Sequence, residues 1–255
     1  MAIKLVDAHT HPLKEYYSNI DETISQAHQN GVNIMMVTGC SIQENEEVKK
    51  ICQNYPFAYP VIGIHPNNAT GKVDGDLIEA QIDTNIKAIG EIGLDFYWNN
   101  VSPQIQIDSL HSQIRVAQKH NLPVVIHMRD SYETLYEILS QYRDVKFMIH
   151  TFSGDLFWAK KFYELNTYFS FSGTITYKSS NHLIEVVEWL PIERILTETD
   201  APYLSPAQKR GEQNVMENVI FVATYIAGIK KMSIEKFAKQ IYRNAKEFFN
   251  INAKK

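Results

Sequence analysis

The sequence predicts an α/β fold, namely a (β/α)8 TIM barrel in a single domain over residues 1–255, with an additional C-terminal helix. Short apolar runs alternate with helical stretches eight times along the chain. The runs are continuously apolar, which is typical of parallel strands buried on both faces. The length of 255 residues suits this fold, which usually takes about 250. A doubly wound open sheet is the alternative, but no GxGxxG pattern follows the first strand.

The predicted elements follow one another in strict alternation. The strands cover residues 3–6, 33–40, 58–65, 88–95, 123–128, 145–151, 168–173 and 194–200. The helices cover residues 20–30, 44–54, 76–86, 103–120, 132–141, 156–165, 183–190 and 215–229. Ser233 is predicted to cap the additional helix, whose apolar face consists of Ile234, Phe237, Ile241 and Phe248.

Composition excludes several classes of protein. The net charge is −4 and no basic block is present, so a protein that binds duplex DNA mainly through its electrostatic field is not expected. Cys40 and Cys52 are too far apart for a CxxC site and too few for a disulfide framework, which favours a reducing, cytoplasmic location. No signal peptide and no apolar run of about 20 residues is found, so no membrane partner is expected. The sequence also indicates no obligate protein partner.

The DAHTH motif at residues 7–11 follows the first apolar run. Side chains alternate along a strand, so Asp7, His9 and His11 are predicted to point the same way. Buried polar groups need partners, and a His-x-His pair offers two nitrogens to one metal ion. The alternative is a polar strand end with two solvated histidines.

Further residues with metal-ligand chemistry are predicted at the same ends of other strands. Five of nine histidines fall there, whereas the other four, His28, His111, His120 and His182, belong to helices and are interpreted as surface residues. The predicted ligands are His9, His11, Glu91, His127, His150 and Asp200. Six ligands are more than one tetrahedral site with an open position can use. They suit two divalent metal ions (magnesium, manganese or zinc) with a bridging carboxylate, which is an arrangement for phosphoester hydrolysis.

Six motifs along the chain resemble the TatD family of metal-dependent deoxyribonucleases. They are DAHTH at 7–11, GIHP at 63–66, GEIGLD at 90–95, HMRD at 127–130, HTFSG at 150–154 and ETDAPYL at 198–204. The resemblance implies a TIM barrel of the amidohydrolase type. It also implies that one metal is held by His9, His11, Glu91 and Asp200, and that the second is held by Glu91, His127 and His150.

The chain departs from the family pattern at three places. Asn67 stands where many members have a second histidine after GIHP. Asn214 is followed by Val215 and Met216, whereas many members have an Asn-Glu-Pro element. Thr151 replaces a frequent cysteine. None of these changes removes an implied metal ligand.

Two carboxylates are assigned catalytic roles. Glu91 is the expected bridging ligand, since it offers two oxygens and lies between the two histidine sets in sequence; the alternative is a buried ion-pair partner. Asp200 is a metal ligand and is also expected to act as the general base that orients the nucleophilic water and later protonates the leaving oxygen.

Other residues are predicted to contact substrate. His65, Asp95 and Arg129 are the main candidates: the first two hydrogen-bond substrate or orient ligands. The planar guanidinium of Arg129 suits a phosphate, unless it forms a rim salt bridge. The aromatic run at residues 96–98 either stacks on an exposed base or packs its own loop. Lys209 and Arg210 either contact phosphate or form a solvated pair.

The function expected is hydrolysis of phosphodiester bonds in DNA that is single-stranded or accessible at its 3′ end. An amidohydrolase-like lactonase, phosphotriesterase or deaminase is the alternative. A phosphotriesterase is less favoured, because such enzymes usually bridge their metals with a carboxylated lysine at the end of strand four. This chain has Glu91 at that position. A non-catalytic, metal-stabilised interaction protein is the third class, and the complete ligand set argues against it.

Overall fold

The fold consists of eight strands and nine α-helices in the part of the chain described by the computed structural model, residues 3–98 and 100–251. The strands are β1 Leu5–Thr10, β2 Val32–Thr38, β3 Ala58–Ile62, β4 Ala88–Asp95, β5 Val124–Arg129, β6 Phe147–Ile149, β7 Tyr168–Phe171 and β8 Ile195–Thr197. The helices are α1 Ile20–Gln29, α2 Ile42–Asn54, α3 Asp74–Glu79, α4 Pro103–His120, α5 Tyr132–Leu139, α6 Leu156–Tyr163, α7 His182–Trp189, α8 Val219–Ile229 and α9 Ile234–Phe248.

The strands form one sheet in chain order, β1 to β8. The pairs β1–β2, β3–β4, β4–β5, β5–β6 and β7–β8 are parallel. The predicted alternation of parallel strands and helices is therefore confirmed. Residues 1–2, 99 and 252–255 of the predicted domain lie outside the described part. No described helix is both long enough and apolar enough to cross a membrane.

Several predicted bounds are wrong. Strand β1 continues through Asp7 to Thr10, because each polar side chain finds a buried partner: Asp7 binds Thr199 and Thr10 binds the Ala201 carbonyl. Strands β6 and β8 are only three residues long, so His150 and Asp200 lie just beyond them. The backbone of Asp200 is left-handed, with φ of 55°, and this conformation is incompatible with a continuing strand.

The described residues fall into two compact units. The terminal unit comprises Met1–Val37, Thr151–Ala159 and Phe169–Lys255, and the central unit comprises Thr38–His150 and Lys160–Tyr168. In the terminal unit, α8 and α9 pack on β1 and on each other. Ser233 caps α9 by accepting a hydrogen bond from the Lys236 N–H, so the predicted additional helix is confirmed.

The central unit is built on β4, in which every residue is buried. Its neighbours β3 and β5 lie on either side. Gly93 allows β4 to approach β5 closely, since a Cβ at this position would lie 2.0 Å from the His127 carbonyl oxygen. Strand β4 thereby carries Glu91 and Asp95 beside the strand that carries His127.

Buried amide side chains hold the carboxyl ends of the central strands. Beyond β3, Gln113 accepts from the Ile64 N–H at 2.8 Å and donates to the Ile64 carbonyl at 3.0 Å. Asn45 binds the N–H and carbonyl of Gly63 in the same way. Each amide supplies the donor and acceptor that a neighbouring strand would have supplied, so the backbone leading to His65 is satisfied and fixed.

The end of β4 is held by the same device. Gln106 accepts from the Asp95 N–H at 2.8 Å and donates to the Asp95 carbonyl at 2.9 Å. Both Gln106 and Gln113 are buried on α4. One helix therefore positions the residues that follow two adjacent strands.

We expect Gln113→Leu to destabilise the fold by about 2–6 kcal/mol, because it leaves the buried N–H and carbonyl of Ile64 without partners. That loss corresponds to a fall in Tm of roughly 4–24 °C for a domain of this size. Thermal unfolding followed by circular dichroism measures it. Gln104→Leu on the exposed side of α4 is the control and should change little. An equal Tm for both variants would contradict the structural role of Gln113.

Candidate functional site

The terminal unit brings three predicted ligands together. His9 lies on β1 and His11 directly follows it, and their Nε2 atoms lie 3.0 Å apart. Asp200 Oδ1 lies 3.6 Å from Nε2 of His9 and 3.4 Å from Nε2 of His11. Nitrogen and oxygen ligands of a tetrahedral zinc ion lie roughly 3.3–3.6 Å apart. The donor set and the two His–Asp distances therefore fit one metal ion, whereas the two histidine nitrogens lie slightly closer together than this range.

Backbone hydrogen bonds align these ligands. The Asp200 N–H donates to the His9 carbonyl at 3.0 Å, and the His11 N–H donates to the Ala201 carbonyl at 2.8 Å. The segment after β8 thus continues the pairing with β1. It places the Asp200 side chain opposite both imidazoles.

Asp7 does not join the histidines, contrary to the prediction that all three side chains converge. Its buried carboxylate accepts from the N–H and the hydroxyl of Thr199, at 2.9 and 2.6 Å. Burial raises the pKa of Asp7 well above its usual range, against the effect of the Thr199 hydrogen bonds. Asp7 therefore anchors the residue before Asp200 and has a positioning role.

Asn214 holds the same segment from its other side. Its Nδ2 donates to the carbonyls of Thr199 and Tyr203, at 2.9 and 2.7 Å. Its own carbonyl accepts from the Tyr17 hydroxyl at 2.8 Å. The sequence analysis noted Asn214 only as the start of a departure from the family element. Its Oδ1 accepts from the Val215 N–H and from Asn218 Nδ2, at 3.0 and 2.9 Å, so residues of the departing segment orient the asparagine.

Glu198 shows why Thr151 is tolerated in place of a cysteine. The buried Glu198 carboxylate accepts from the N–H and hydroxyl of Thr151, at 2.7 and 2.5 Å, and from the Ser170 hydroxyl at 2.5 Å. A thiol is a weak donor, so threonine serves a buried carboxylate better. Glu198 thereby fixes the residue that directly follows His150.

The central unit gathers three histidines around one oxygen of Glu91. Oε1 lies 2.6 Å from His127 Nδ1, 2.7 Å from His150 Nε2 and 3.7 Å from His65 Nε2. His127 Nδ1 and His150 Nε2 are 3.3 Å apart. A carboxylate and imidazoles are ligands for zinc, manganese or iron. A metal ion binding these nitrogens displaces their protons, because imidazole ligates in its neutral form.

Asp95 lies behind His127. Its Oδ2 is 3.1 Å from His127 Nε2. Burial lowers the pKa of His127, but hydrogen bonds to Asp95 and Glu91 outweigh this effect and place its pKa above the usual value. Burial alone raises the pKa of Asp95, but its hydrogen bonds to His127 and to backbone N–H groups outweigh this effect. The pKa of Asp95 therefore lies below its usual value. A carboxylate on the far nitrogen of a ligand histidine orients the ring, which is one of the two roles predicted for Asp95.

His65 is held by the residue that replaces the second family histidine. Its Nδ1 accepts from the Asn67 N–H at 3.1 Å, so the proton of the neutral ring is on Nε2, facing Glu91. Burial, reinforced by His127, lowers the pKa of His65 to about 3. His65 is therefore a neutral hydrogen-bond donor near neutral pH.

Arg129, which was predicted to point toward the same mouth as His127, is the last residue of β5 and is exposed. Its exposed guanidinium carbon lies 3.9 Å above the ring centre of Tyr97 and 5.8 Å from that of Trp98. The next residue, Asp130, has a left-handed backbone with φ of 53°. Arg129 forms no ion pair with any described residue, so the alternative of a rim salt bridge is not realised within the described part.

Cys40 is a neighbour of the site that the sequence analysis missed. Its Sγ lies 3.7 Å from Glu91 Oε2, and its carbonyl accepts from the His65 N–H at 3.0 Å. Cysteines were considered there only for disulfides and CxxC sites. The available signal was its place at the end of the second predicted strand, where the other strands carry ligands.

The remaining polar candidates have ordinary partners. Lys209 pairs with Glu212 at 3.2 Å, and Arg210 lies over the Tyr177 ring. The four helical histidines contact the Val32 carbonyl, Tyr142, Glu79 and the Ser153 carbonyl. Three of them are exposed, and His111 is half-buried.

The sheet and its histidine–carboxylate clusters define the class of barrel-shaped, metal-dependent hydrolases. The model of a family described as "TatD related DNase" matches residues 6–250, so the chain belongs to the TatD family. YabD of Bacillus subtilis, an uncharacterized metal-dependent hydrolase, is 35% identical over 97% of this chain and 100% of its own. YcfH of Escherichia coli, with the same description, is 28% identical over 98% of this chain and 97% of its own.

Solved structures share the fold. The TatD homolog YjjV of Escherichia coli superposes with a TM-score of 0.91 at 25% identity, covering 99% of this chain and 100% of that one. A TatD-family hydrolase of Entamoeba histolytica gives a TM-score of 0.83 at 24% identity, with 98% and 99% coverage. The predicted TIM barrel is confirmed.

We expect His127→Ala and His150→Ala each to lower the metal content of the purified protein while preserving the fold. Ligands at strand ends lie outside the packed layers of the barrel, so their loss removes little core. Elemental analysis gives metal per chain, and circular dichroism should show the secondary structure of the wild type, although loss of one partner of the buried Glu91 carboxylate should lower the Tm of the metal-free protein. His120→Ala at the surface is the matched control. Wild-type metal content in both variants would exclude these two residues as ligands.

Proposed function

We propose that this chain is a divalent-metal-dependent deoxyribonuclease that cleaves phosphodiester bonds in single-stranded DNA or at accessible 3′ ends. Membership of the TatD family supports hydrolysis that depends on metal ions. The ligand chemistry supports two ions: His9, His11 and Asp200 with Glu91 for one, and His127 and His150 with Glu91 for the other.

The surroundings of Glu91 are the observation that carries this proposal. Oε1 contacts His127 and His150, whereas Oε2 faces Cys40 on the other side. The two oxygens thus have separate environments, which is what a carboxylate shared by two cations needs. When bound, such a pair supplies a water of lowered pKa and positive charge for the entering and leaving oxygens.

Asp200 is the residue best suited to move the proton. Its Oδ1 faces His9 and His11, and the second oxygen of a carboxylate can accept a hydrogen bond from water. Asp7 and Asn214 fix the backbone on both sides of it through Thr199. Asp200 can therefore hold a water through Oδ2, accept its proton and return that proton to the leaving oxygen.

The test is Glu91→Gln, which keeps the volume of the side chain but removes its charge. One amide oxygen cannot serve two cations as a carboxylate does, so we expect cleavage of single-stranded DNA to fall by at least about a thousandfold, or about 4 kcal/mol of barrier. Glu79→Gln, at the surface beside His120, is the matched control and should cleave normally.

The same assay separates the function classes. Wild-type protein should cleave DNA with added divalent metal and stop in a chelator, and it should leave a lactone and a phosphotriester intact. Turnover of the lactone or triester without cleavage of DNA would overturn the nuclease proposal. No turnover of any substrate under any metal would favour the interaction protein instead.

A further inference from the structure

Tyr97 and Trp98 form an exposed aromatic pair directly after β4. Tyr97 is 53% exposed and Trp98 is 49% exposed. Their ring centres lie 5.0 Å apart in a T-shaped arrangement. Aromatic rings that pack their own loop would be covered, so that alternative from the sequence does not hold for these two rings. Half of each side chain is available to a ligand.

Arg129 completes this surface, and we call Tyr97, Trp98 and Arg129 the stacking surface. The guanidinium carbon lies 3.9 Å from the ring centre of Tyr97, which is within the range of a cation–π contact. Arg129 forms no ion pair with a carboxylate in residues 3–98 and 100–251, so no described residue neutralises its charge. A planar guanidinium held in this way is suited to a phosphate.

The stacking surface is held in place and is connected to the candidate ligands. Asp95 Oδ1 accepts from the N–H groups of Tyr97 and Trp98, at 3.0 and 3.1 Å. The Phe96 N–H donates to the Arg129 carbonyl at 2.9 Å. The other oxygen of Asp95 binds His127. A single buried carboxylate therefore joins the exposed rings to a predicted metal ligand.

We propose that the stacking surface binds one unpaired nucleotide of a DNA strand, with its base against Trp98 and a flanking phosphate on Arg129. This inference rests on the proposed function and names the form of its substrate. Every base has a face that can stack on an aromatic ring, but only an unpaired base exposes that face to a protein. The site therefore favours single strands and frayed ends over intact duplex.

The overall charge supports a local contact of this kind. With a net charge of −4, the chain has no general field that attracts a polyanion. Binding then depends on individual groups, and an aromatic pair with one unneutralised guanidinium offers both kinds of contact that a nucleotide needs. A peptide or a duplex would use the same surface differently, and the experiment distinguishes them.

The experiment measures the affinity of the metal-loaded protein for a labelled single strand with a non-hydrolysable backbone. Trp98→Ala should raise Kd by about 5- to 100-fold, the range for loss of one stacked base. Trp98→Phe should restore most of the affinity, because a ring remains. Trp189→Ala, an exposed tryptophan of α7, is the control and should bind like the wild type.

A series of strands with an abasic nucleotide at each position in turn locates the stacked base. The wild type should lose affinity at one position, and Trp98→Ala should be insensitive to that same position. Arg129→Ala should flatten the dependence of log affinity on log salt by about 0.7, the value for one phosphate contact on a single strand. An unchanged Kd for Trp98→Ala, an unchanged salt slope for Arg129→Ala, or equal binding of intact duplex would each overturn the proposal.

The two proposals fail in different ways. A protein that cleaves DNA normally but gains nothing from Trp98 is a nuclease without this subsite. A protein that binds the single strand through Trp98 but cleaves no DNA retains the subsite and loses the nuclease assignment.

Discussion

The cost of burying the Glu91 carboxylate is the constraint on which the central unit depends. An ionised carboxylate away from water is stable only with hydrogen-bonded or charged partners. His127 and His150 provide them on Oε1, at 2.6 and 2.7 Å. Both imidazoles must therefore reach the same point from different strands. Metal cations bound in place of the imidazole protons would also compensate the negative charge of Glu91. The same requirement for positive charge beside Glu91 therefore applies with and without the proposed metals.

That requirement explains why the strand ends are held by buried amides rather than by neighbouring backbone. A ligand side chain has a defined position only if the backbone below it is fixed. Gln113 fixes Ile64 before His65, and Gln106 fixes Asp95. Thr199, which precedes Asp200, receives the same treatment from Asp7 and Asn214. These positioning residues are polar and buried, and each satisfies backbone groups that would otherwise be unpaired.

Local patterns in the sequence were enough to predict the eight strands, the additional helix and which residue types collect at the strand ends. Apolar runs and their alternation with helical stretches depend only on residues close in sequence. Strands and helices can therefore be recognised without tertiary information. Alternation failed where the chain leaves strand geometry. Asp200 lies beyond β8, and its backbone is left-handed. Side-chain direction at such positions is set by the turn and not by parity along the strand.

Partners far apart in sequence could not be predicted for a different reason. Asp7 and Thr199 are separated by 192 positions, and nothing in the local pattern says that a carboxylate beside two histidines will bind a hydroxyl instead of a metal. Rules for disulfides and CxxC sites likewise could not identify Cys40 as a neighbour of the site, although it ends the second predicted strand. Such choices are decided by which groups the finished fold brings within hydrogen-bonding distance.

Asp95 shows how one buried group can couple binding to chemistry. Its two oxygens serve different neighbours: one orients His127, and the other fixes the backbone of Tyr97 and Trp98. A displacement of the exposed rings would therefore change the hydrogen bond that orients a predicted metal ligand. The residues that we propose to contact an unpaired nucleotide and those that we propose to hold the metals are thus joined by a single carboxylate.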